Sequence, residues 1–348
     1  MRQLTCFGPQ RVEWRDVPEP QLESDEAALV RPLAVARCDI DPFLVSGFLP
    51  SSGPFALGHE AVVEIAALGD AVSGLTVGQR AVVSFQVSCG RCASCAAGRS
   101  ANCDAYPVLS DYGMQPLSGV EYGGMLSDLV RVPHASAMLQ PLPPGVSAID
   151  LASVSDNVLD GYRSVAPHLA TYPGADVLIV CHGKVRSIAL YGVLTARALG
   201  AGRVDFASDD SDALALAEKL GGRPVETDFT RRQGRYPIVV DCGARTEGLY
   251  YALGSTAPEG VCQSVSFYVS VPPGTPVPLS KLYTLGIRFF IGRAHAAALL
   301  PEVVSLIASG KLRPGDVTTR VVDWEDAPSA YLEDSIKLVV ARSQARSD

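Results

Sequence analysis

The stretch DVLIVCHGKVRSIALYGVLTARALGAGRVDFASDD, residues 176–210, sets the architecture. A short apolar run from Val177 to Val180 leads into a turn with one glycine, then an amphipathic segment, SIALYGVLTARALGA, then a second β-rich run, RVDFAS. Strand, helix, strand at this spacing predicts a parallel crossover, since parallel neighbours need a long connection that a helix fills. The alternation continues with a helix in DALALAEKLGG, a buried strand in PIVVDCG, a helix in EGLYYALGS and a strand in VCQSVSF. This is the pattern of a doubly wound α/β unit.

Outward from that unit the texture changes. Between Glu13 and Val132 short β-rich runs such as HEAVVEIAAL and QRAVVSF are broken by Gly and Pro, which predicts an irregular, largely antiparallel β domain. The tail holds an amphipathic helix, LLPEVVSLIASGKL, and then EDAPSAYLEDSIKLVVA, a helix followed by a terminal strand that rejoins the first domain. A chain of 348 residues with 47% apolar and 19% charged residues fits two globular domains. A net charge of −8 without any Lys/Arg-rich run excludes the electrostatic footprint of a nucleic-acid binder. No run approaches the ~18 apolar residues of a membrane span, and MRQLTCFGPQRVEWRDVPEP lacks the apolar core of a signal peptide, so a cytoplasmic protein is expected.

Four of the nine cysteines, Cys89, Cys92, Cys95 and Cys103, crowd into SCGRCASCAAGRSANC. In a reducing compartment such a cluster reads as a metal site before it reads as disulfides. Four thiolates close a tetrahedral shell, so a structural zinc is expected, with an iron–sulfur cluster as the competing reading. Three separated segments offer a second set: Cys38 in ARCDIDP, His59 and Glu60 in ALGHEAV, and Asp156 in SVSDNVLDGY. Taken singly, a buried Cys or a His beside a Gly is more often packing than ligation.

The order of these pieces resembles the zinc-containing medium-chain alcohol dehydrogenase family. It is carried by Gly58-His59-Glu60, the four-cysteine lobe, Tyr122-Gly123-Gly124 followed by a strand ending at Pro133, and the nucleotide-binding unit from Asp176. The resemblance implies an irregular β-rich, GroES-like catalytic domain over 1–157 and 288–348, with its structural zinc lobe at 89–103, and a doubly wound Rossmann domain over 158–287. It implies that Cys38, His59 and Asp156 are the ligands of a catalytic zinc, Asp156 replacing a Cys, and that Glu60 is a nearby carboxylate, sometimes a transient ligand. It implies NAD or NADP as cofactor, a small alcohol or carbonyl substrate, and pairing of copies into a homodimer or homotetramer through an edge such as IRFFI. The chemistry suits the residue types, because three protein ligands leave one position on zinc open and the dication lowers the pKa of a bound alcohol.

Two motifs depart from the family's pattern. The position two residues after the first zinc Cys, where a hydroxyl passes on the alcohol proton, holds Ile40. An aliphatic side chain relays no proton, so water, Asp39 or another carboxylate takes that task, or the protein does without it. Asp39 and Asp41 otherwise read as surface carboxylates or as groups behind the ligands. The glycine loop reads Cys181-His182-Gly183-Lys184-Val185-Arg186, with only the middle glycine kept and Arg186 in the place of the third. Arg186-Ser187-Ile188 is similar to a bacterial branch of the family, and the loop with the following helix N-terminus is expected to hold a pyrophosphate.

The acidic residue that binds the adenosine ribose of NAD is expected at the end of the second strand, where Ser208 is followed by Asp209 and Asp210. Two carboxylates and no adjacent Arg oppose a 2′-phosphate, so NAD is expected over NADP; the same carboxylates also read as a cap for the helix that follows. By resemblance Arg293, in IGRAH, is a cofactor contact. His134, His168 and His295 read as packing or surface residues, and Cys6, Cys242 and Cys262 as small buried hydrophobes. Three functions compete: a nicotinamide- and zinc-dependent oxidoreductase, a non-redox zinc enzyme of lyase or hydratase type, and a non-catalytic binding protein.

Overall fold

The structure is a computed structural model that describes residues 1–49, 51, 53–118, 122–243, 245–268 and 274–346. The chain divides into two compact units, Met1–Leu159 with Ala294–Asp348, and Asp160–Arg293. The strands in chain order are β1 (Arg2–Gly8), β2 (Arg11–Asp16), β3 (Ala28–Ala36), β4 (Phe55–Ala56), β5 (Glu60–Leu68), β6 (Arg80–Val83), β7 (Val130–Val132) and β8 (Leu139–Pro141). Then follow β9 (Val177–Cys181), β10 (Val204–Ser208), β11 (Arg223–Glu226), β12 (Tyr236–Asp241), β13 (Thr256–Ser264) and β14 (Arg288–Ile291), and finally β15 (Arg320–Asp323) and β16 (Leu338–Ala341).

The first unit is irregular and largely antiparallel, as its broken β-rich runs predict. One sheet has the order β2-β1-β4; the larger runs β15-β16-β3-β5-β6-β8, with β7 on β3. The terminal strand β16 pairs antiparallel with β3, so the tail is stitched into the sheet that carries the first half of the unit. Strand β5 starts at Glu60, which places His59 at the mouth of that sheet. Two glycines make this possible. Gly58 has φ +89°, and a Cβ there would lie 3.0 Å from the Leu126 nitrogen; at Gly124 a Cβ would lie 2.2 Å from the Leu57 carbonyl oxygen. The amides of Met125 and Leu126 donate to the carbonyls of Gly58 and Leu57 at 2.7 and 3.1 Å, so the Tyr122-Gly123-Gly124 segment locks the backbone beside His59.

The second unit holds a parallel sheet of order β11-β10-β9-β12-β13-β14. Its central strand β9 is buried at every residue, as expected where helices cover both faces of a parallel sheet. The helix Arg186–Ala198 connects β9 to β10, which pair in parallel from Val177 and Val204 to Cys181 and Ser208. The change of direction in strand order lies between β9 and β12, with the glycine turn at the carboxyl end of β9. Residues 288–291, read from sequence as part of the other domain, form β14 and pair in parallel with β13, because the apolar IRFFI run completes the sheet edge. No helix among the described residues is long and apolar enough to cross a membrane.

Candidate functional site

In the lobe, Cys89 and Cys103 are buried and Cys92 and Cys95 half-buried, all as free thiols. Their four sulfurs lie within 4.8 Å of one another. Cys89 and Cys103 are 3.5 Å apart and Cys92 and Cys103 3.8 Å, against the ~3.8 Å edge of a tetrahedron with ~2.3 Å zinc–sulfur bonds. Backbone amides of Cys89, Cys95 and Asp104 point at the sulfurs of Cys103, Cys92 and Cys92 at 3.3–3.4 Å. Burial raises the Cys89 thiol, but the Arg91 and Cys92 amides outweigh it and bring the group down to about 7. Burial raises Cys95 to about 12 and also raises Cys103, so Cys89 is the thiol that the surrounding amides draw toward the thiolate a cation takes. The lobe is tied to the rest of its unit by Glu26, which accepts from Arg91 at 2.5 Å and lies 2.9 Å from His134 Nδ1, while the Tyr106 hydroxyl lies 2.7 Å from His134 Nε2. His134 therefore packs, as its sequence suggests.

The second set is built differently. Cys38 follows β3, His59 precedes β5, and Asp156 lies in a π-helical turn, Val154–Val158, that runs into the helix Leu159–Thr171. The extra residue of such a turn redirects side chains, which is why π turns recur at functional positions. Here it turns both Asp156 and Asn157 toward Cys38. The ligand atoms of Cys38, His59 and Asp156 lie within 4.8 Å of one another, and all three residues are buried. The Cys38 thiol donates to the Asp156 carboxylate at 3.0 Å, and His59 Nε2 lies 3.3 Å from the same oxygen. Among the described residues neither His59 ring nitrogen finds a hydrogen-bond partner, although both are buried.

Leaving such atoms unsatisfied is costly, and a thiol, an imidazole and a carboxylate form the donor set of an open zinc site. The residues therefore fit a zinc ion. Burial, then Asp156, Glu60 and Asp41, push the Cys38 thiol well above its ordinary value. Burial alone would lower His59, but Asp41, Asp156 and Glu60 raise it to about 9. So much negative charge around one cysteine and one histidine is what a dication would balance.

Around this set lies a network that sequence reasoning missed in part. Asp41 is fully buried; one oxygen accepts from the Cys38 amide at 2.9 Å and the Tyr331 hydroxyl at 3.0 Å, and the other faces His59 Nδ1 at 3.6 Å. Glu60 accepts from the Asn157 amide at 2.7 Å and from Lys337 at 2.5 Å. Lys337 is itself fully buried and also donates to Asn157 Oδ1 at 2.6 Å and the Arg37 carbonyl at 2.9 Å. Asn157 donates to the Cys38 sulfur at 3.0 Å, closing the circuit. Burial outweighs Lys337 and raises Glu60 to about 7. The available signal for Lys337 was a lone cation inside the apolar run SIKLVVA.

In the second unit Cys181 ends β9 and is buried. Gly183 has φ +91°, a backbone conformation in which a side chain is strained, and a Cβ there would be in van der Waals contact with Arg245 Nε at 3.4 Å. Lys184 is exposed, and Val185 precedes the helix that Arg186 begins. His182 stacks on Phe229 at 4.2 Å, with its Nε2 3.6 Å from Asp209. Ser208 is buried at the end of β10 and its hydroxyl accepts from the Asp210 amide at 3.1 Å. Asp210 caps the helix Ser211–Lys219 and accepts from Arg186 at 3.1 Å, so the capping reading holds for Asp210. Arg293 lies two residues past β14, with β12 and β13 between that strand and β9. A glycine turn leading into a helix N-terminus fits a dinucleotide phosphate.

A family model of the alcohol dehydrogenase GroES-like domain matches residues 24–144. The medium chain reductase/dehydrogenase ucsI of Acremonium sp is 30% identical over 233 residues, 65% of this chain and 76% of that protein. "Probable zinc-binding alcohol dehydrogenase Rv1895" of Mycobacterium tuberculosis is 26% identical over 337 residues, 95% of this chain and 84% of that one. Among solved structures, an alcohol dehydrogenase from Thermus sp. ATN1 superposes with a TM-score of 0.85 at 25% identity, covering 98% of this chain and 100% of that chain. These relatives are reductases and dehydrogenases, which favours the redox reading over the lyase-like and non-catalytic ones. On these grounds the chain belongs to the zinc-containing medium-chain dehydrogenase/reductase family, that of the alcohol dehydrogenases.

Proposed function

We propose that this protein transfers a hydride between a nicotinamide cofactor and a small alcohol or carbonyl substrate, with Cys38, His59 and Asp156 holding a catalytic zinc and Cys89, Cys92, Cys95 and Cys103 a structural one. The observation that carries this reading is the convergence of three sequence-distant donors, buried and within 4.8 Å of one another, in the same unit as a separate four-thiol cluster. Zinc bound by the first set would polarise a substrate oxygen and favour its deprotonated form. The protein's own groups prepare that place. Asp41, itself held by Tyr331 and the Cys38 amide, puts its charge 3.6 Å from His59 Nδ1, on the side of the ring away from the Nε2 that lies beside Asp156. Lys337 and the Asn157 amide hold Glu60 as a counter-charge behind the ligands rather than among them. Ile40 carries no proton, so the substrate proton leaves to water or a carboxylate, and buried Asp39 is the adjacent one.

Cys181, His182, Gly183, Lys184, Val185 and Arg186 form the turn against which the pyrophosphate lies, with Arg293 a further cofactor contact. NAD is favoured over NADP, because Asp209 is half-exposed at the carboxyl end of β10, where the adenosine ribose binds. Copies pair through the edge strand β14, whose Phe290 and Ile291 are exposed, giving a homodimer or homotetramer. The absence of disulfides among the nine cysteines suits the cytoplasm. Titrating zinc-replete protein with NADH and NADPH by nicotinamide fluorescence tests the reading: saturable NADH binding is expected, and binding of neither nucleotide would contradict it.

A further inference from the structure

We propose that Tyr268 is a positioning residue for the nicotinamide half of the cofactor, acting through the buried carboxylate of Asp241 at the carboxyl end of β12. This rests on the nicotinamide reading above. In a doubly wound sheet a dinucleotide lies across the carboxyl ends of the strands, one nucleotide to each side of the point where strand order reverses. That point lies between β9 and β12, and with the adenosine at β10 the nicotinamide nucleotide falls to the side of β12 and β13. Asp241 ends β12 and Ser264 ends β13; the two are register partners, so their side chains share a face of the sheet.

Asp241 is fully buried, and among the described residues hydrogen bonds rather than a cation meet its charge. One oxygen accepts from the Gly243 amide at 3.0 Å, the other from the Ser264 hydroxyl at 3.3 Å and the Tyr268 hydroxyl at 2.5 Å. Gly243 allows this approach, since a Cβ there would lie 3.0 Å from the carboxylate. The Tyr268 ring packs against the core that holds Leu249, Leu253 and Cys262, and burial with the Asp241 charge raises its phenol, so it remains a donor. Its φ of +55° is one that a bulky residue rarely adopts; such strain persists only where the surroundings impose it, and it recurs at ligand sites. The Ser264 hydroxyl lies 2.6 Å from the Tyr268 hydroxyl and accepts from the Ser266 amide at 3.3 Å, so one phenol anchors the backbone leaving both strands. Without it a buried carboxylate is left a donor short, and the ends of β12 and β13 lose their common anchor while those of β9 and β10 keep theirs.

Calorimetric titration of the zinc-replete protein with NADH and with ADP-ribose, which lacks the nicotinamide, separates the two halves. Tyr268→Phe keeps the ring packing and is expected to weaken NADH about tenfold but ADP-ribose by less than about twofold. Asp241→Asn is expected to weaken NADH as well, and the double variant to be little weaker than the worse single one, because members of one hydrogen-bond network do not add. Should these variants fold too poorly to bind ADP-ribose, Ser264→Ala carries the test, with an expected loss for NADH of about threefold and none for ADP-ribose. Equal loss of both ligands, unchanged NADH affinity in Tyr268→Phe, or additive losses in the double variant overturns the inference and leaves the proposed function standing. Failure of the parent protein to bind NADH overturns both.

Discussion

The two donor clusters of the first unit differ in almost every physical respect. The four cysteines come from fifteen consecutive residues, are half-buried in part, and take their donor density from neighbouring amides. Cys38, His59 and Asp156 come from three distant segments, are all buried, and are surrounded by a circuit of Asp41, Tyr331, Glu60, Asn157 and Lys337. A local cluster needs only a folded loop, and so it is suited to holding structure. A cluster assembled by the tertiary fold is held in place by everything around it, and its geometry can be tuned for chemistry.

The comparison breaks most sharply at Lys337. Lys337→Met leaves the Glu60 carboxylate buried without its cation, at a cost of about 3–5 kcal/mol in urea unfolding, and pairing it with Glu60→Gln should recover much of that loss. An equally stable Lys337→Met protein would show that the circuit does not hold the second cluster together. Cys103→Ser should remove the lobe's metal and cost on the order of 3 kcal/mol, while leaving the identity of the reaction unchanged. A variant as stable as the parent would count against the lobe as a structural site.

Asp41→Asn sharpens the contrast without dismantling the fold. It keeps the shape and the Tyr331 contact but weakens the orientation of His59, so zinc retention against a chelator should fall about 10–100-fold at the second cluster and not at the lobe. Equal loss from both would point to general destabilisation. Smallest is Ile40→Ser, which restores a hydroxyl two residues after Cys38; turnover measured across pH should rise by less than about tenfold, because another group already takes the proton. A rise of several hundredfold would mean that the proton path is broken in the parent.

The same contrast explains what could be read before any coordinates. The lobe is legible because its ligands share one loop, and the doubly wound unit because strand and helix alternate along DVLIVC, SIALYGVLTARALGA and RVDFAS with little tertiary help. Cys38, His59 and Asp156 are legible as a set only through their order beside the lobe, since each alone reads as packing. The circuit behind them depends on contacts such as Lys337 to Glu60, 277 residues apart, and no local pattern encodes those. Asn157 beside Asp156 is visible, but its direction is set by the π turn. Likewise Arg186 reads as a lost glycine until its partner 24 residues on is seen.

Zinc content per chain, measured in the parent and in Asp156→Ala, tests the two-cluster account most directly. Two ions per chain in the parent, falling to one in a folded Asp156→Ala protein, are expected from the two donor sets. A single ion in the parent, or two retained after Asp156 is removed, would contradict a zinc held by Cys38, His59 and Asp156.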